Sequence, residues 1–311
     1  HRERHTVIKT VILSMFLPIL AGGGLVALCW LLPPLRKWKW LSGVAFGFGL
    51  AVGGFASFVA ENGVPPFPPT ERKQWIGLAA VLAAVFAVLG SLTGSAGKER
   101  SWPSTEFFAV LAGVVVTCLP FITHWAGGDL QPYFSGSGPA DQIAMGLAVT
   151  VGFLALDRIV DTRTGATLPL VFFITFAGLA PIADAASWIT LTFLFAVAAG
   201  ISLIAAVAAR FGGSPSIGRG GLLAAVILLV FLPAAGYRQT YGDFPWWAWG
   251  MAAAAPLILL PLEHPWLAKL PPWGGLTLRL VLVAAIVGTA VVVVLQAGAG
   301  ADAANDYGGF N

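Results

Sequence analysis

The sequence predicts an all-α, polytopic integral membrane protein, and three observations carry this prediction: its composition, its long apolar runs and the residues that separate them. Of the 311 residues, 58% are hydrophobic and only 10% are charged, and the mean hydropathy is +0.85. Soluble domains carry about 25% charged residues, so most of this chain must face lipid rather than water. The apolar runs are also long enough to cross a bilayer, since a spanning helix needs about 20 apolar residues.

Ten apolar segments are predicted to span the membrane, five before and five after a charged stretch at residues 157–163. Few polar residues separate the sixth segment from the seventh, so nine or eleven spans are open alternatives. We treat the chain as one transmembrane domain with halves at 7–156 and 165–295 and a mobile tail at 296–311. The predicted spans are 7–32, 41–60, 74–92, 104–123, 141–156, 165–182, 186–209, 220–235, 244–262 and 274–295.

Two short matches, each between segments five apart, raise the alternative of a five-plus-five inverted repeat. Residues 77–82 read Gly-Leu-Ala-Ala-Val-Leu, and residues 221–226 read Gly-Leu-Leu-Ala-Ala-Val. A Leu-Pro pair followed five residues later by Trp closes both the fourth and the ninth segments. Inverted repeats of this kind build many secondary transporters. Segments rich in Gly, Ala, Leu and Val also match one another by chance.

The distribution of Lys and Arg predicts the orientation. With ten spans, eleven of the 17 basic residues fall at one end of the spans and six at the other. Cytoplasmic connectors are enriched in Lys and Arg, which places the eleven in the cytoplasm and both termini outside. The first residues oppose this assignment, because Arg2, Arg4 and Lys9 lie at the outer end.

The charge, cysteine and histidine content of the chain disfavours several functional classes. The net charge of +3 is too small and too dispersed to indicate a nucleic-acid partner. Cys29 and Cys118 lie in apolar runs, where they are interpreted as small buried side chains. His124 and His264 fall at opposite ends of the spans, so they could not flank one haem. The spans also hold almost no ionisable residue near mid-membrane, where proton-coupled pumps place them. We expect no cofactor.

Two pairs of polar residues are weak candidates for chemistry. Asp157 and Asp161 are four residues apart and would share one face of a helix, where paired carboxylates could hold Mg²⁺ against a diphosphate. A solvated loop in which neighbouring arginines offset both acids is the alternative that we favour. Glu263 and His264 could form an acid/base pair, although adjacent polar residues at a span end are more often interfacial.

Glycines in the second span predict close packing against another helix. Gly43 and Gly47 are four residues apart and lie on one side of a helix, and Gly54 recurs a heptad later. Small residues at such spacing let helix backbones approach each other in a membrane.

Aromatic residues cluster in two connectors that the ten-span arrangement places at the outer end. Most such residues form an interfacial belt. Successive residues of a helix are turned by about 100°, so Trp246, Trp247 and Trp249 cannot all face lipid. We therefore predict one outward-facing surface that docks a partner chain or covers a substrate entrance. Its residues are Trp125, Tyr133, Phe134, Tyr237, Tyr241, Trp246, Trp247 and Trp249.

Three functional classes follow from these features. A transporter or channel is favoured by the span count and the interrupted helices. A membrane subunit of a larger complex is favoured equally by the glycine-rich faces and the aromatic connectors. A membrane enzyme acting on a lipid or isoprenoid substrate is the third alternative. In each case the lipid bilayer is a partner, other membrane subunits or a second copy are further candidates, and the bacterial inner (cytoplasmic) membrane is the expected location.

Overall fold

A computed structural model of the chain describes residues 10–67, 74–93, 105–125, 139–213, 215–239, 245–264 and 271–307. Within these residues the chain forms helices and no strands. Eight helices in this part of the chain are long and apolar enough to cross a membrane, and two shorter apolar helices lie at Glu106–Cys118 and Trp246–Leu262. The prediction of an all-α polytopic membrane protein is confirmed.

The helices alternate in direction and are numbered here in chain order. A one-turn helix, Pro33–Arg36, lies between α1 and α2, and α9 continues through a 3₁₀ turn and a last helical turn to Leu262. The ten helices are α1 Leu17–Leu31, α2 Lys39–Asn62, α3 Gln74–Thr93, α4 Thr105–Trp125, α5 Pro139–Thr162, α6 Thr167–Ala185, α7 Ile189–Phe211, α8 Gly218–Gln239, α9 Trp246–Ala254 and α10 Pro272–Tyr307.

Helix α8 lies at the centre of the bundle. Of its most apolar 18-residue window, 83% is buried, against 28% for α10. It packs against α2 and α3 on one side and against α5 and α9 on the other. Helices α1, α2, α6 and α7 form a second packed group, and α4 is attached mainly through α5. The α4–α5 pair therefore stands at the edge of the bundle and faces α8.

Glycines allow α2 to approach α3 and α8. A Cβ atom built on Gly47 would lie 2.5 Å from Cβ of Ala87 and 2.9 Å from Cβ of Ala224. A Cβ atom on Gly43 would lie 2.8 Å from Oγ of Ser91. Gly54 differs, because its Cβ position is in ordinary contact with Leu194 of α7 at 3.7 Å. Gly43 and Gly47 thus lie at one interface and Gly54 at another.

A proline explains the irregular start of the first span. Residues Ile12–Phe16 form a π-helical turn directly before α1, and Pro18 follows within the first turn of α1. Proline has no backbone N–H, so the carbonyl of Ser14, four residues earlier, loses its helical donor. The hydroxyl of Ser57 on α2 donates to that carbonyl instead. The substitute bond fastens α1 to α2 and keeps a polar group satisfied inside the membrane.

Helices α4 and α5 meet through a reciprocal glycine–threonine contact that the sequence prediction missed. A Cβ atom on either Gly113 or Gly146 would overlap the backbone of the other. The hydroxyl of Thr117 donates to the carbonyls of Gly113 at 2.9 Å and Gln142 at 3.3 Å. The hydroxyl of Thr150 donates to those of Gly146 at 3.0 Å and Ala109 at 3.3 Å. The Gly-x-x-x-Thr pattern at residues 113–117 and 146–150 was the available signal.

Two expectations from the sequence, the end of the last helix and the five-plus-five repeat, are compared here with the fold. The last helix was expected to end near residue 295, yet it continues to Tyr307, because residues 297–304 include five alanines, the strongest helix former. The five-plus-five repeat stays a prediction. Helix α4 packs on α5 as α9 packs on α10, but the close α2–α3 contact has no counterpart between α7 and α8 in the described residues.

Replacing Gly47 by Ala is expected to destabilise the protein by about 1–3 kcal/mol, because a methyl group there overlaps the Cβ atoms of Ala87 and Ala224 on two neighbouring helices. Gly288→Ala is the matched control, since a Cβ atom on Gly288 meets no atom within 4 Å. The measurement is the thermal unfolding midpoint of each variant in mild detergent. Equal midpoints for wild type and Gly47→Ala would contradict the packing assignment.

Candidate functional site

The connectors α1–α2, α5–α6, α7–α8 and α9–α10 meet at one end of the bundle. The hydroxyl of Ser42 donates to the carbonyl of Ser216 at 2.8 Å, and the amide of Gly165 donates to the carbonyl of Pro215 at 3.0 Å. We call this the basic end, because Arg158, Arg163, Arg210, Arg219 and Arg279 all belong to it. The opposite end, where α5 and α9 begin and α8 finishes, is called the aromatic end.

An ion pair joins α5 to α8 at the basic end. Nε of Arg219 lies 2.9 Å from Oδ1 of Asp157, and the two side chains are 26% and 11% exposed. The N–H is not aligned with that oxygen, so the contact is ionic rather than a well-directed hydrogen bond. The side chain of Asp161, its predicted metal-binding partner, lies outside the described residues. Among those residues, no group of three His, Cys, Asp or Glu side chains could hold a metal ion.

Glu263 forms the second charged contact at this end. Its carboxylate accepts from Nε of Arg163 at 3.0 Å and from Nη2 at 2.8 Å, which is a bidentate geometry. Nη2 of Arg279 on α10 lies 3.2 Å from the same carboxylate. The three residues tie the end of α5, the end of α9 and the start of α10 together. His264 is exposed beside this cluster, and the geometry shows Glu263 occupied by two guanidinium groups.

A cavity of about 670 Å³ lies between α5, α8 and α9. It extends along α5 from Asp141 to Leu156, fifteen residues or about 22 Å of helix. The hydrocarbon core of a bilayer is about 30 Å thick, so the cavity passes the middle of the membrane. Its inner end lies one residue before Asp157, whose ion pair joins two of the three helices that line it. The Asp157–Arg219 pair therefore lies next to the inner end of the cavity.

Small and apolar residues form the cavity wall. A Cβ atom on Gly250 would meet no atom within 4 Å, so α9 leaves open space where it faces α5. Ligand cavities in proteins are about 300–1,000 Å³ and mostly apolar, with few polar groups. The other small lining residues are Ala144, Ala148, Gly152, Ala234, Ala253 and Ala254.

One polar group inside the cavity has no partner. Trp249 lines the cavity and is only 2% exposed, with its ring packed against Gly236 of α8. Its indole N–H donates to no acceptor in the described residues. Leaving a buried donor unpaired costs about 1–3 kcal/mol. This nitrogen is itself fully buried, so it does not face the open space of the cavity.

Exposed aromatic residues surround the mouth of the cavity at the aromatic end. Tyr237 and Trp246 line it and are 37% and 66% exposed. Trp247 is 43% exposed and lies outside the lining, while Trp249 is buried, so the three tryptophans face different surroundings. Tyr133, Phe134 and Tyr241 lie outside the described residues, as does the side chain of Trp125. The predicted aromatic surface as a whole stays a prediction.

Fold and site together define a polytopic α-helical membrane protein with a largely apolar cavity between α5, α8 and α9. Comparison with known protein families, curated protein sequences and solved structures found no match for this chain. Sequence reasoning missed the cavity and the pairing of Glu263 with arginines, and it expected neighbouring arginines in a solvated loop to offset Asp157, which instead lies in α5 and pairs with Arg219. A signal for the pairing existed, since the basic connectors hold Asp157 and Glu263 beside several arginines.

Replacing Asp157 by Asn is expected to lower stability by about 1–3 kcal/mol, because the half-buried Arg219 guanidinium loses its counter-ion. Arg219→Gln should cost less in that background than in the wild type, since the two residues act as a pair. Thermal unfolding of the four members of this cycle measures the coupling.

Asp184→Asn is the control for this cycle, because Asp184 is an exposed carboxylate in α6 and its replacement should change little. Additive effects of the two substitutions would contradict the ion pair. If proteins that keep Asp157 reached wild-type stability only after Mg²⁺ was added, that result would instead support the metal-binding alternative.

Proposed function

We propose that this protein is a membrane transporter for an amphipathic, lipid-like molecule. The observation that carries the proposal is the apolar cavity, which extends about 22 Å along α5 from the aromatic end and stops one residue before Asp157, whose pair with Arg219 joins α5 to α8. Substrate sites near the midplane, open to one side at a time, are the arrangement of secondary transporters. The positive-inside rule places the basic end in the cytoplasm, so the cavity faces outward.

The lining supports a hydrocarbon-bearing substrate. Below the mouth, the cavity wall is made of Ala, Val, Leu, Gly, Met, Pro and Trp residues. A sugar or a hydrated ion would find almost no hydrogen-bond partners there, and an unpaired polar group in such a place costs several kcal/mol. An alkyl chain needs none.

The packing supports a movement that would open the basic end. Helix α8 packs most extensively against α2 and α3, and α5 packs against both α8 and α4, while α4 touches the rest of the bundle lightly. A tilt of the α4–α5 pair relative to α8 would separate Asp157 from Arg219 and keep the Gly113–Gly146 contact intact. Because this pair joins two helices that line the cavity, its rupture would expose the inner end of the cavity to the cytoplasm.

A membrane subunit of a larger complex is the second candidate. It is favoured by the small residues that line the cavity, because helices in membranes pack closely through Gly and Ala. In that case a partner helix would occupy the space between α5 and α9. The particle size in mild detergent separates the two functions: a monomer or dimer supports transport, and a large hetero-complex supports the subunit. The enzyme alternative has less support, since the carboxylate of Glu263 is held by Arg163 and Arg279.

Filling the cavity should abolish substrate binding. Ala253→Phe places a ring in the space between α9 and α5, and we expect at least a ten-fold loss of affinity for a single-chain lipid. Ala285→Phe is the matched control, because Ala285 is exposed on α10 and lies outside the cavity. Binding is measured by photo-cross-linking of a lipid with a photoreactive chain. Equal labelling of both variants and the wild type would overturn the proposal.

Locking the basic end should separate binding from transport. Cysteines replace Asp157 and Arg219 in a chain whose Cys29 and Cys118 are alanines, and a short, reducible maleimide cross-linker joins them. The cross-linked protein should bind chain-labelled lipid but move it across proteoliposome membranes at least ten-fold more slowly until the linker is reduced. The single-cysteine variants, treated identically, are the controls. Unchanged movement in the locked protein would contradict the inner closure.

A further inference from the structure

We propose that the cavity opens sideways into the outer leaflet between α5 and α9, and that its substrate is a bilayer-resident lipid whose chain enters through this opening. This inference rests on the proposed function and names the substrate class and its route for the same cavity. Helix α8 forms the floor of the cavity, and α5 and α9 form its two sides.

The exposed residues of α8 show where the opening lies. From Gly220 to Gly236 every residue of this central helix is buried except Val230 and Ala234, and the exposed Tyr237 follows them. These three residues are four and three positions apart, so they lie on one face of the helix. All three line the cavity. The buried central helix is therefore reached from outside the bundle through this cavity.

The two sides of the opening are exposed over the same half of the membrane. The exposed lining residues of α5 lie within residues 141–151, and those of α9 lie within Trp246–Ala254. Val151 and Ala254 are each at about the middle of their apolar helices. Deeper in the lining, Leu156 of α5 is buried. The opening thus begins at the aromatic end and stops near the midplane.

The two sides come together beyond the midplane. Helix α5 packs against residues 255–262, the continuation of α9, more extensively than against α9 itself. The positive-inside rule places the basic end in the cytoplasm, so the opening faces the outer leaflet. Residues 141–151 extend about 15 Å along α5, and the hydrocarbon of one leaflet is also about 15 Å thick. The opening therefore matches the depth of a single leaflet.

Hydrocarbon is what meets the opening in a membrane, because the bilayer core holds no water. Ala144, Ala148, Gly250 and Ala254 border the opening and carry no polar side-chain group. A Cβ atom on Gly250 would meet no atom within 4 Å. A lipid chain can therefore move from the leaflet onto α8 without displacing a side chain and without leaving hydrocarbon. A solute from water would find no hydrogen-bond partner on these side chains.

The width of the cavity favours a chain over a helix as the occupant. A volume of 670 Å³ spread over about 22 Å gives a mean cross-section of about 30 Å². A helix with its side chains is about 10–12 Å wide, which corresponds to a cross-section of about 80–110 Å². A partner helix could reach this space only with its side chains, whereas an unbranched alkyl chain enters whole.

Spin labels at the opening distinguish lipid from water. Gly250→Cys, in a chain whose Cys29 and Cys118 are alanines, is labelled with a nitroxide and placed in phosphatidylcholine vesicles. Oxygen concentrates in hydrocarbon, whereas nickel ethylenediaminediacetate stays in water. We expect the label to collide more often with oxygen than with the nickel complex, in the same ratio as a label on Ala285→Cys. That variant is the matched control, because Ala285 is exposed at the middle of α10.

A block of the side opening tests the route. The probe is dipalmitoylphosphatidylcholine with a photoreactive diazirine at the end of one chain, a two-chain lipid that stays in the bilayer. Ala148 is exposed, so Ala148→Phe places a ring across the opening rather than inside the bundle. We expect about ten-fold less labelling of α8 in this variant, with an unchanged thermal unfolding midpoint. Ala285→Phe is the matched control and should be labelled like the wild type.

Three results would overturn the inference. The nickel complex could reach Gly250→Cys as often as oxygen does, which would show an opening to water. Neither reagent could reach it, which would show that protein covers the opening. Ala148→Phe could leave the labelling by the two-chain lipid unchanged. In each case the proposed function stands if Ala253→Phe still blocks labelling by the single-chain lipid, and both proposals fail if it does not.

Discussion

Close contact between α8 and its neighbours α2 and α3 is the constraint on which the rest of the structure depends. Gly90 of α3 faces Gly220 of α8, where an added Cβ atom would come within 3.0 Å of backbone. Gly220 is itself pressed against the backbone of α3 at Ala87 and Ser91. Without side chains at these points, dispersion contacts between backbones hold the helices together, since lipid supplies no hydrophobic drive for their association.

The position of α8 determines where both the Asp157–Arg219 ion pair and the cavity lie. Arg219 directly precedes Gly220 of the glycine contact and reaches Asp157, while the second half of α8 supplies a wall of the cavity from Val226 to Tyr237. The opposite wall belongs to α5, whose own firm contact is with α4 through Gly113 and Gly146. The two packed units, α8 with α2 and α3 and α5 with α4, also contact each other, and small side chains line the space between α5 and α9.

Polarity changes along the cavity. The part at the aromatic end carries a carboxylate and exposed aromatic rings, and the rest of the wall is apolar. The charged contacts at the basic end are partly shielded from water, so they are stronger than surface pairs.

The sequence by itself determined the membrane class, the approximate ten apolar segments and the end at which the basic connectors gather. These properties depend on local length, composition and charge, which decide directly whether a segment lies in lipid or in water. Only the tertiary structure decided that Glu263 meets Arg163, a hundred residues earlier, that Trp249 is buried while Trp246 is not, and that Gly47 and Gly54 face different helices. The cavity likewise arises from residues in three helices. The relative placement of helices follows from backbone contacts between segments that are distant in the chain. The local sequence around a residue does not specify which distant segment it contacts.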